Sequence, residues 1–314
     1  MIIEQSGQVV REIGKVFIGK DDVIEKVLMT IYAGGHVLLE DAPGVGKTTL
    51  ALGFSRALGF SYKRVQFTPD TMPSDITGFS VYNKATGRLE YKPGAADCQL
   101  LLGDEINRTS PKTQAALLEV MEEGRVTVDG ITHNLPKPFV CIATQNHYGA
   151  IGTQALPESQ LDRFMVRLSI GYPGRDSQVE ILKSRRGIGD LDAVKQSMSV
   201  EDVREIQGYL YSVKITDDLL YYITDLCEAT RTEPMVELGV SPRGVRALMQ
   251  MARARAVLRE RDYVIPEDIQ AVYKDVCGHR LVLRPQAKIE GITAEDVLRD
   301  ILKKVKAPTL RRQG

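Results

Sequence analysis

The sequence has no surplus of either charge. Lysine plus arginine and aspartate plus glutamate number 41 each, and the formal net charge is zero. That balance removes any global electrostatic case for binding nucleic acid or a membrane surface. Cysteine is scarce: Cys98, Cys141, Cys227 and Cys277 show no metal-ligand spacing. A chain of this length does not need disulfide staples, so reduced thiols packed in a core are expected. No apolar run reaches the length of a membrane span, and no membrane insertion is expected. The start, "MIIEQSGQVVREIGKV", has neither a long apolar core nor a small-residue cleavage site, so it does not read as a signal peptide. No internal repeat or low-complexity tract is present. A soluble, cytoplasmic protein is the expectation. Its 314 residues, 43% of them hydrophobic, allow one large domain or two ordinary ones around a sizeable core.

Apolar spacing divides the chain into two kinds of region. "KDDVIEKVLMTIYAGG" has helical periodicity and a glycine stop, and "HVLLE" reads as a buried strand. "KTTLALGFSRALG" is a helix, "YKRVQF" a short strand, and "TPDTMPSDITG", rich in turn formers, a loop. "FSVYNKATGRLEYKPG" reads as a hairpin about Thr86-Gly87, and "RVTVDGITHNLP" as a second about Asp129-Gly130. "CQLLLGDE", "FVCIATQN" and "MVRLSI" are buried strands, and "SPKTQAALLEVMEEG" is a helix with Ser110 as cap and Pro111 at its first position. After "GYPG" (171–174) no convincing strand follows and helical patterns dominate. A boundary near Pro173 is expected, separating an α/β part with a mostly parallel sheet from a helical bundle.

"LLEDAPGVGKTTLA" (38–51) carries the strongest chemical signal. Gly44-Val45-Gly46-Lys47-Thr48 matches the end of the phosphate-loop pattern G-x-x-x-x-G-K-[ST]. Gly44 and Gly46 let backbone N–H groups approach phosphate oxygens, and the following helix N-terminus favours an anion. Lys47 supplies a mobile cation for the β/γ-phosphates, and Thr48 a hydroxyl where Mg²⁺ would sit. The alternative is an ordinary glycine-rich strand-to-helix turn. The first glycine of the pattern is replaced by Asp41. A solvated carboxylate about 8 Å from phosphate costs only about half a kcal/mol in water. Asp41 is therefore expected to bond local N–H groups in a turn and to leave binding intact.

Four further elements follow in order. Asp104 and Glu105 end an apolar strand in "LLLGDEINR". The first can hold Mg²⁺ through water, and the second can polarise an attacking water as a general base. Many strands end in a solvated acidic turn, so the pair gains meaning from the upstream loop. Asn146, at the end of "FVCIATQN", can position a water near the γ-phosphate or can be a plain polar strand terminus. Arg163 in "LPESQLDRF" can neutralise charge on a neighbour's nucleotide, or form a surface salt bridge with Asp162 or Glu158. Arg243 in "SPRGVRAL" lies near a helix start, where a solvated helix face is the plain alternative. "NKAT" (83–86) lacks the final Asp of the guanine-reading Asn-Lys-x-Asp pattern, so no guanine specificity is expected.

These five elements, in this order, resemble the AAA+ ATPases and more closely the MoxR family. The resemblance rests on "LLEDAPGVGKT", "DEINRTSPKTQAALLEVMEEGRVTVDG", "IATQN", "LPESQLDRF" and "SPRGVRAL", with "DYVIPEDIQAV" and "CGHRLVL" resembling lid helices; it spans roughly 8–306. It implies a P-loop NTPase fold, with an α/β parallel-sheet core over 1–172 and an all-α lid over 173–314. Residues of about 77–94 would be the hairpin inserted in the family's second helix, and about 125–136 the hairpin before the sensor strand. Both would face the pore of a ring.

The resemblance also assigns roles. Pro43, Gly44, Val45, Gly46, Lys47, Thr48 and Thr49 would hold ATP or ADP. Thr48 and Asp104 would hold Mg²⁺, and Ile18 and Gly19 would lie by the adenine. Glu105 would be the base, Asn146 sensor 1, Arg163 the arginine finger and Arg243 sensor 2. His147 stands where the family commonly has proline. The implied activity is ATP hydrolysis in a homo-oligomeric, hexameric ring that remodels or activates protein clients, commonly with a von Willebrand factor A domain protein as partner. A nucleic-acid-stimulated motor and a metal-chelatase-type motor subunit are the alternatives. Zero net charge speaks weakly against the nucleic-acid motor, although a local basic pore would be compatible with it.

Overall fold

The computed structural model describes residues 2–146, 156–183 and 191–309. Helices α1 (Ile2–Gly14) and α2 (Asp21–Tyr32) precede β1 (Val37–Glu40), which leads into α3 (Lys47–Ala57) and β2 (Tyr62–Gln66). Next come α4 (Pro73–Thr77), the hairpin β3 (Phe79–Asn83) and β4 (Arg88–Lys92), β5 (Leu100–Asp104) and α5 (Pro111–Glu123). A second hairpin, β6 (Arg125–Val128) and β7 (Ile131–Asn134), precedes β8 (Val140–Gln145), α6 (Glu158–Leu161) and β9 (Val166–Leu168). The remainder is α7 (Arg175–Lys183), α8 (Val200–Tyr209), α9 (Asp217–Thr232), β10 (Val236–Leu238), α10 (Pro242–Leu258), α11 (Pro266–Cys277), β11 (Val282–Leu283), α12 (Pro285–Ile289) and α13 (Ala294–Lys304).

Five strands form one parallel sheet in the order β2-β5-β8-β1-β9. Side chains alternate between its faces. Leu39, Leu100, Leu102, Val140 and Ile142 join the core shared with α1, α3 and the C-terminal helices; Leu38, Leu101, Cys141 and Ala143 join a second core under α5. Apolar runs such as "CQLLLG" and "FVCIAT" suit strands covered on both faces. The parallel register aligns Gln66 with Asp104 and Glu40 with Gln145, so the polar residues gather at the carboxyl edge. Open α/β sheets bind ligands at that edge.

Both expected hairpins form, with Asp129 (φ 51°) and Gly130 (φ 78°) in the left-handed conformation at the tip of the second. Ring stacking of Tyr91 on His133, with centroids 3.8 Å apart, ties the hairpins together. The expected helix caps are present: Ser110 Oγ accepts Thr113 N–H at 3.3 Å, and Ser241 Oγ accepts Gly244 N–H at 3.1 Å.

The C-terminal helices pack on α2. Gln207 donates to the Ile31 carbonyl at 2.7 Å, and Lys26 pairs with Asp275 at 2.8 Å. All four cysteines are free and buried, and burial pushes the Cys98 thiol up to about 12.

Three expectations need correction. The segment read as a loop at 68–78 contains α4, whose N-terminus is closed by Asp75 accepting Met72 N–H at 2.9 Å. Five residues are too few for a 3.6-residue period to register. The C-terminal part is not purely helical, because β10 and β11 form an antiparallel pair. "CGHRLVL", which resembled lid helix, is instead a single 3₁₀ turn over Gly278–Arg280 followed by β11. Helix α1 also adds to the sequence reading, with Val9 and Ile13 fully buried.

Candidate nucleotide site

The phosphate-loop signature lies at the carboxyl end of β1, where the chain turns into α3. Gly44 (φ 85°) and Gly46 (φ 97°) occupy left-handed conformations that cost a side-chain-bearing residue energy. A Cβ at Gly46 would also lie 3.0 Å from the Phe17 ring. Lys47 opens α3, and its Nζ donates to the Asp41 carbonyl at 2.7 Å. Its pKa is lowered, chiefly by burial, while the nearby carboxylates of Asp41, Asp104 and Glu105 oppose the shift. One cation therefore faces both acids of the second element.

Asp104 and Glu105 are held by groups that no sequence signal marked. Thr144, fully buried on β8, donates its hydroxyl to Asp104 Oδ1 at 2.7 Å and accepts Glu105 N–H at 2.9 Å. Arg64 on β2 binds Asp104 Oδ2 at 2.7 Å. Glu105 has φ 58°, an uncommon conformation for a residue with a side chain. Its carboxylate accepts from Arg108 at 2.8 Å and Gln66 at 3.1 Å. Asn107 Nδ2 donates to the Asn146 carbonyl at 3.1 Å, joining the "DEINR" turn to the end of β8. His147, flagged in the sequence, lies outside the described residues.

Beside the loop is a cavity of about 310 Å³. Its walls include Phe17, Ile18, Gly44–Gly46, Ile170 and Tyr172. Ile18 is thus placed against the phosphate loop. Gly19 (φ 74°) follows it in the chain and packs on Ser177 of α7, where a Cβ would sit 2.1 Å from the hydroxyl. Pro43 and Gly44 are exposed, and Val45 to Thr49 are half-buried.

Asp41 behaves differently from expectation. Its carboxylate is not a solvated local turn cap. It accepts Ser169 Oγ–H at 2.9 Å, Ile170 N–H at 2.5 Å and Gly171 N–H at 3.0 Å, from residues 128 to 130 positions away. The reason is the sheet order: β9 lies next to β1, so its exit passes the start of the loop.

Arg163 and Arg243 are brought together away from this cavity. Both bind Glu122 of α5, Arg163 Nη2 at 3.4 Å from Oε2 and Arg243 on Oε1. Arg163 forms a surface ion pair as its plain alternative allowed, with Glu122 in place of Asp162 or Glu158, and Arg243 is an exposed helix-face residue paired with the same carboxylate. Asp162 is engaged elsewhere. It accepts from Ser241 Oγ at 2.8 Å and from the buried Arg280 Nε at 2.8 Å. Arg280 also donates to the carbonyls of Asp162, Phe164, Met165 and Val276. This fixes the turn carrying Arg163 to the C-terminal helices.

A parallel sheet with a glycine-bearing loop at its carboxyl edge, an acidic pair at a neighbouring strand end and a helical C-terminal part define a P-loop nucleotide-binding protein. Comparison with known proteins gives the family. The family model "ATPase family associated with various cellular activities (AAA)" matches 36–166, and "AAA lid domain" matches 228–301. The chain is 47% identical over 305 residues to the uncharacterized protein YeaC of Bacillus subtilis, covering 97% of this chain and 95% of that one. It is 37% identical over 306 residues to chaperone MoxR1 of Mycobacterium tuberculosis, covering 95% of this chain and 81% of that one. A crystal structure of a protein from Cytophaga hutchinsonii, designated a candidate ATPase, superposes with a TM-score of 0.90 at 36% identity, covering 98% and 96% of the two chains. The chain belongs to the MoxR family of AAA+ ATPases.

Proposed function

We propose that this protein hydrolyses ATP to ADP and phosphate with Mg²⁺, assembles as a homo-oligomeric hexameric ring in the cytoplasm, and remodels protein clients with a von Willebrand factor A domain protein as partner. We divide it into a nucleotide-binding core (1–172) and a helical lid (173–314). The observation that carries the reading is the phosphate-loop geometry, with left-handed Gly44 and Gly46 leading into Lys47 at the start of α3, at the same carboxyl edge of the sheet that carries Asp104 and Glu105.

The residues fit Mg·ATP. The left-handed Gly44 and Gly46 make a cradle that a Cβ would strain, and the Thr48 hydroxyl with the Asp104 carboxylate offers the hard oxygen donors Mg²⁺ takes. Mg²⁺ held there would neutralise charge developing on the transferred phosphoryl. Gly44 to Thr49 would bind the phosphates through backbone N–H groups, and Lys47 would pair with their charge. Glu105, steadied by Thr144, Arg108 and Gln66, would accept the proton of the attacking water, and Asn146 would orient that water. Arg163, which does not line the cavity beside this subunit's loop, would serve the nucleotide of a neighbour, and Arg243 would act as sensor 2.

Protein clients are supported by the first hairpin, which exposes Phe79, Val81, Tyr82 and Leu89. A cluster of exposed apolar side chains marks a contact surface. The chaperone name of the Mycobacterium tuberculosis relative points the same way. Among the described residues no helix is long and apolar enough to cross a membrane.

The test is Glu105→Gln against Lys47→Ala, measured by calorimetry with Mg·ATP and by phosphate release. Glu105→Gln is expected to bind ATP and turn over about 10²-fold more slowly or worse. Lys47→Ala is expected to lose most of the binding. ATP affinity unchanged by Lys47→Ala would move the nucleotide elsewhere, and wild-type turnover in Glu105→Gln would remove the base.

A further inference from the structure

Asp41 stands where the phosphate-loop pattern has glycine, and its side chain reaches across to a wall of the cavity beside the loop. The carboxylate accepts Ile170 N–H at 2.5 Å, Gly171 N–H at 3.0 Å and Ser169 Oγ–H at 2.9 Å. Ile170 and Gly171 line that cavity together with Gly44, Val45 and Gly46. At its main chain Asp41 is fixed to the loop side: its carbonyl accepts Lys47 Nζ at 2.7 Å, and its N–H donates to the Gln145 carbonyl at 3.4 Å. One residue thus bonds the phosphate half and the opposite wall at once.

We infer that Asp41 is a positioning residue that sets the width of the cavity for the base-and-ribose half of a nucleoside triphosphate, independently of phosphate capture. The inference rests on the nucleotide reading above. The geometry requires a short side chain with two acceptor oxygens. Two backbone N–H groups and a hydroxyl converge on two carboxylate oxygens, and a carboxylate is acceptor-only. Glycine, the pattern residue, would leave the two N–H groups without this acceptor. Asparagine would turn an NH₂ toward at least one of the donors. Glutamate carries the charge but is one methylene longer, which changes the spacing of the two walls. The segment 170–173 also leads into α7, which lends Gln178, Ile181 and Leu182 to the same cavity. Displacing Ile170 and Gly171 therefore disturbs more than one wall.

Phosphate capture uses the backbone of positions 44–48 and the Lys47 amine, whose acceptor on Asp41 is a carbonyl that every substitution keeps. The inference therefore predicts a split between two ligands. Tripolyphosphate reports the phosphate half alone, and ATP reports both halves. Calorimetry with Mg²⁺ on the full chain compares wild type, Asp41→Asn, Asp41→Gly and Ser169→Ala. Losing hydrogen bonds to a charged acceptor is expected to weaken ATP about tenfold or more in Asp41→Asn and Asp41→Gly. Tripolyphosphate should stay within about twofold, and Ser169→Ala, which removes one donor, should weaken ATP by a smaller factor.

Thermal unfolding identifies any Asp41 variant that fails to fold, and Ser169→Ala then decides by the same ATP-to-tripolyphosphate ratio. ATP affinity unchanged in the folded variants overturns the inference. Equal weakening of both ligands also overturns it, because Asp41 would then act on the phosphate loop itself. Wild-type protein that binds neither ligand, or binds both regardless of Lys47→Ala, sinks the nucleotide reading and this inference with it.

Discussion

Thr144 Oγ1 lies 2.9 Å from the main-chain nitrogen of Glu105 and receives its hydrogen. The same hydroxyl passes its own hydrogen to Asp104 Oδ1 at 2.7 Å. A single buried oxygen on β8 thus fixes the end of β5 and the left-handed turn at Glu105. Arg108 and Gln66 then aim the Glu105 carboxylate from the other side.

Thr144→Val keeps the shape and removes both bonds. Leaving the Glu105 N–H without its acceptor is expected to cost about 1–3 kcal/mol of stability. Turnover should fall about tenfold or more through misplacement of Glu105, while ATP affinity stays near wild type. Urea unfolding, calorimetry and phosphate release measure the three quantities. A variant with normal turnover would show that the Glu105 turn holds its geometry without Thr144.

The turn that carries Arg163 depends on a buried ion pair. Arg280 has a side chain only 2% exposed, and among the described residues Asp162 supplies its carboxylate partner, at 2.8 Å. Its other partners are mainly neutral carbonyls. Asp162→Ala would leave that guanidinium buried with no counter-charge, a loss of about 3–5 kcal/mol. Chemical denaturation is expected to show it. A loss under about 1 kcal/mol would mean that carbonyl acceptors alone satisfy Arg280.

The difference between what was legible in the sequence and what was not is one of range. β5 and β8 could be read because strands buried on both faces are apolar throughout. Asp129-Gly130 marked its hairpin because left-handed tip residues are needed there. The order of strands in the sheet has no local signal, and the missed contacts follow from that order. Thr144 touches Asp104 and Glu105 because β8 lies beside β5. Asp41 reaches Ile170 and Gly171 because β9 lies beside β1. Glu122 lies in the last turn of an α5 helix that could be read, yet nothing along the chain tied it to Arg163 and Arg243.

His36 makes the fold sensitive to acid. Its Nδ1 accepts Cys141 N–H at 3.0 Å, so Nε2 carries the hydrogen donated to the Met121 carbonyl at 2.9 Å. Burial lowers its pKa to about 4. An unfolded chain takes up this proton near pH 6.5, whereas the folded chain resists until about pH 4. The unfolded state binds more protons in that window, so stability is complete above about pH 6.5 and falls as pH drops toward 4. The loss amounts to about 3 kcal/mol. His36→Gln can serve both backbone groups without titrating. Urea midpoints at pH 7 and pH 4.5 should show a smaller acid loss in His36→Gln than in wild type. Equal losses would assign the acid sensitivity to other groups.

Arg163 and Arg243 share Glu122, yet these pairs contribute little to folding. The side chains are 31% and 43% exposed, and Glu122 is 40% exposed. Exposed ion pairs are worth about 0–1 kcal/mol. A large catalytic loss on removing Arg163 would therefore report chemistry and not unfolding. In a ring, Arg163 would stabilise transition-state charge on a neighbour's nucleotide and add little to ground-state binding by its own subunit. Arg163→Ala should bind ATP nearly normally and hydrolyse it poorly. Activity per wild-type subunit should rise with protein concentration and level off once rings form. Mixing Arg163→Ala with Lys47→Ala should restore some turnover, because the Lys47→Ala subunits lend Arg163 to neighbours that still bind ATP. Native mass spectrometry must first register mixed rings. Full activity in Arg163→Ala, with turnover independent of concentration, would leave a self-contained ATPase in place of the ring.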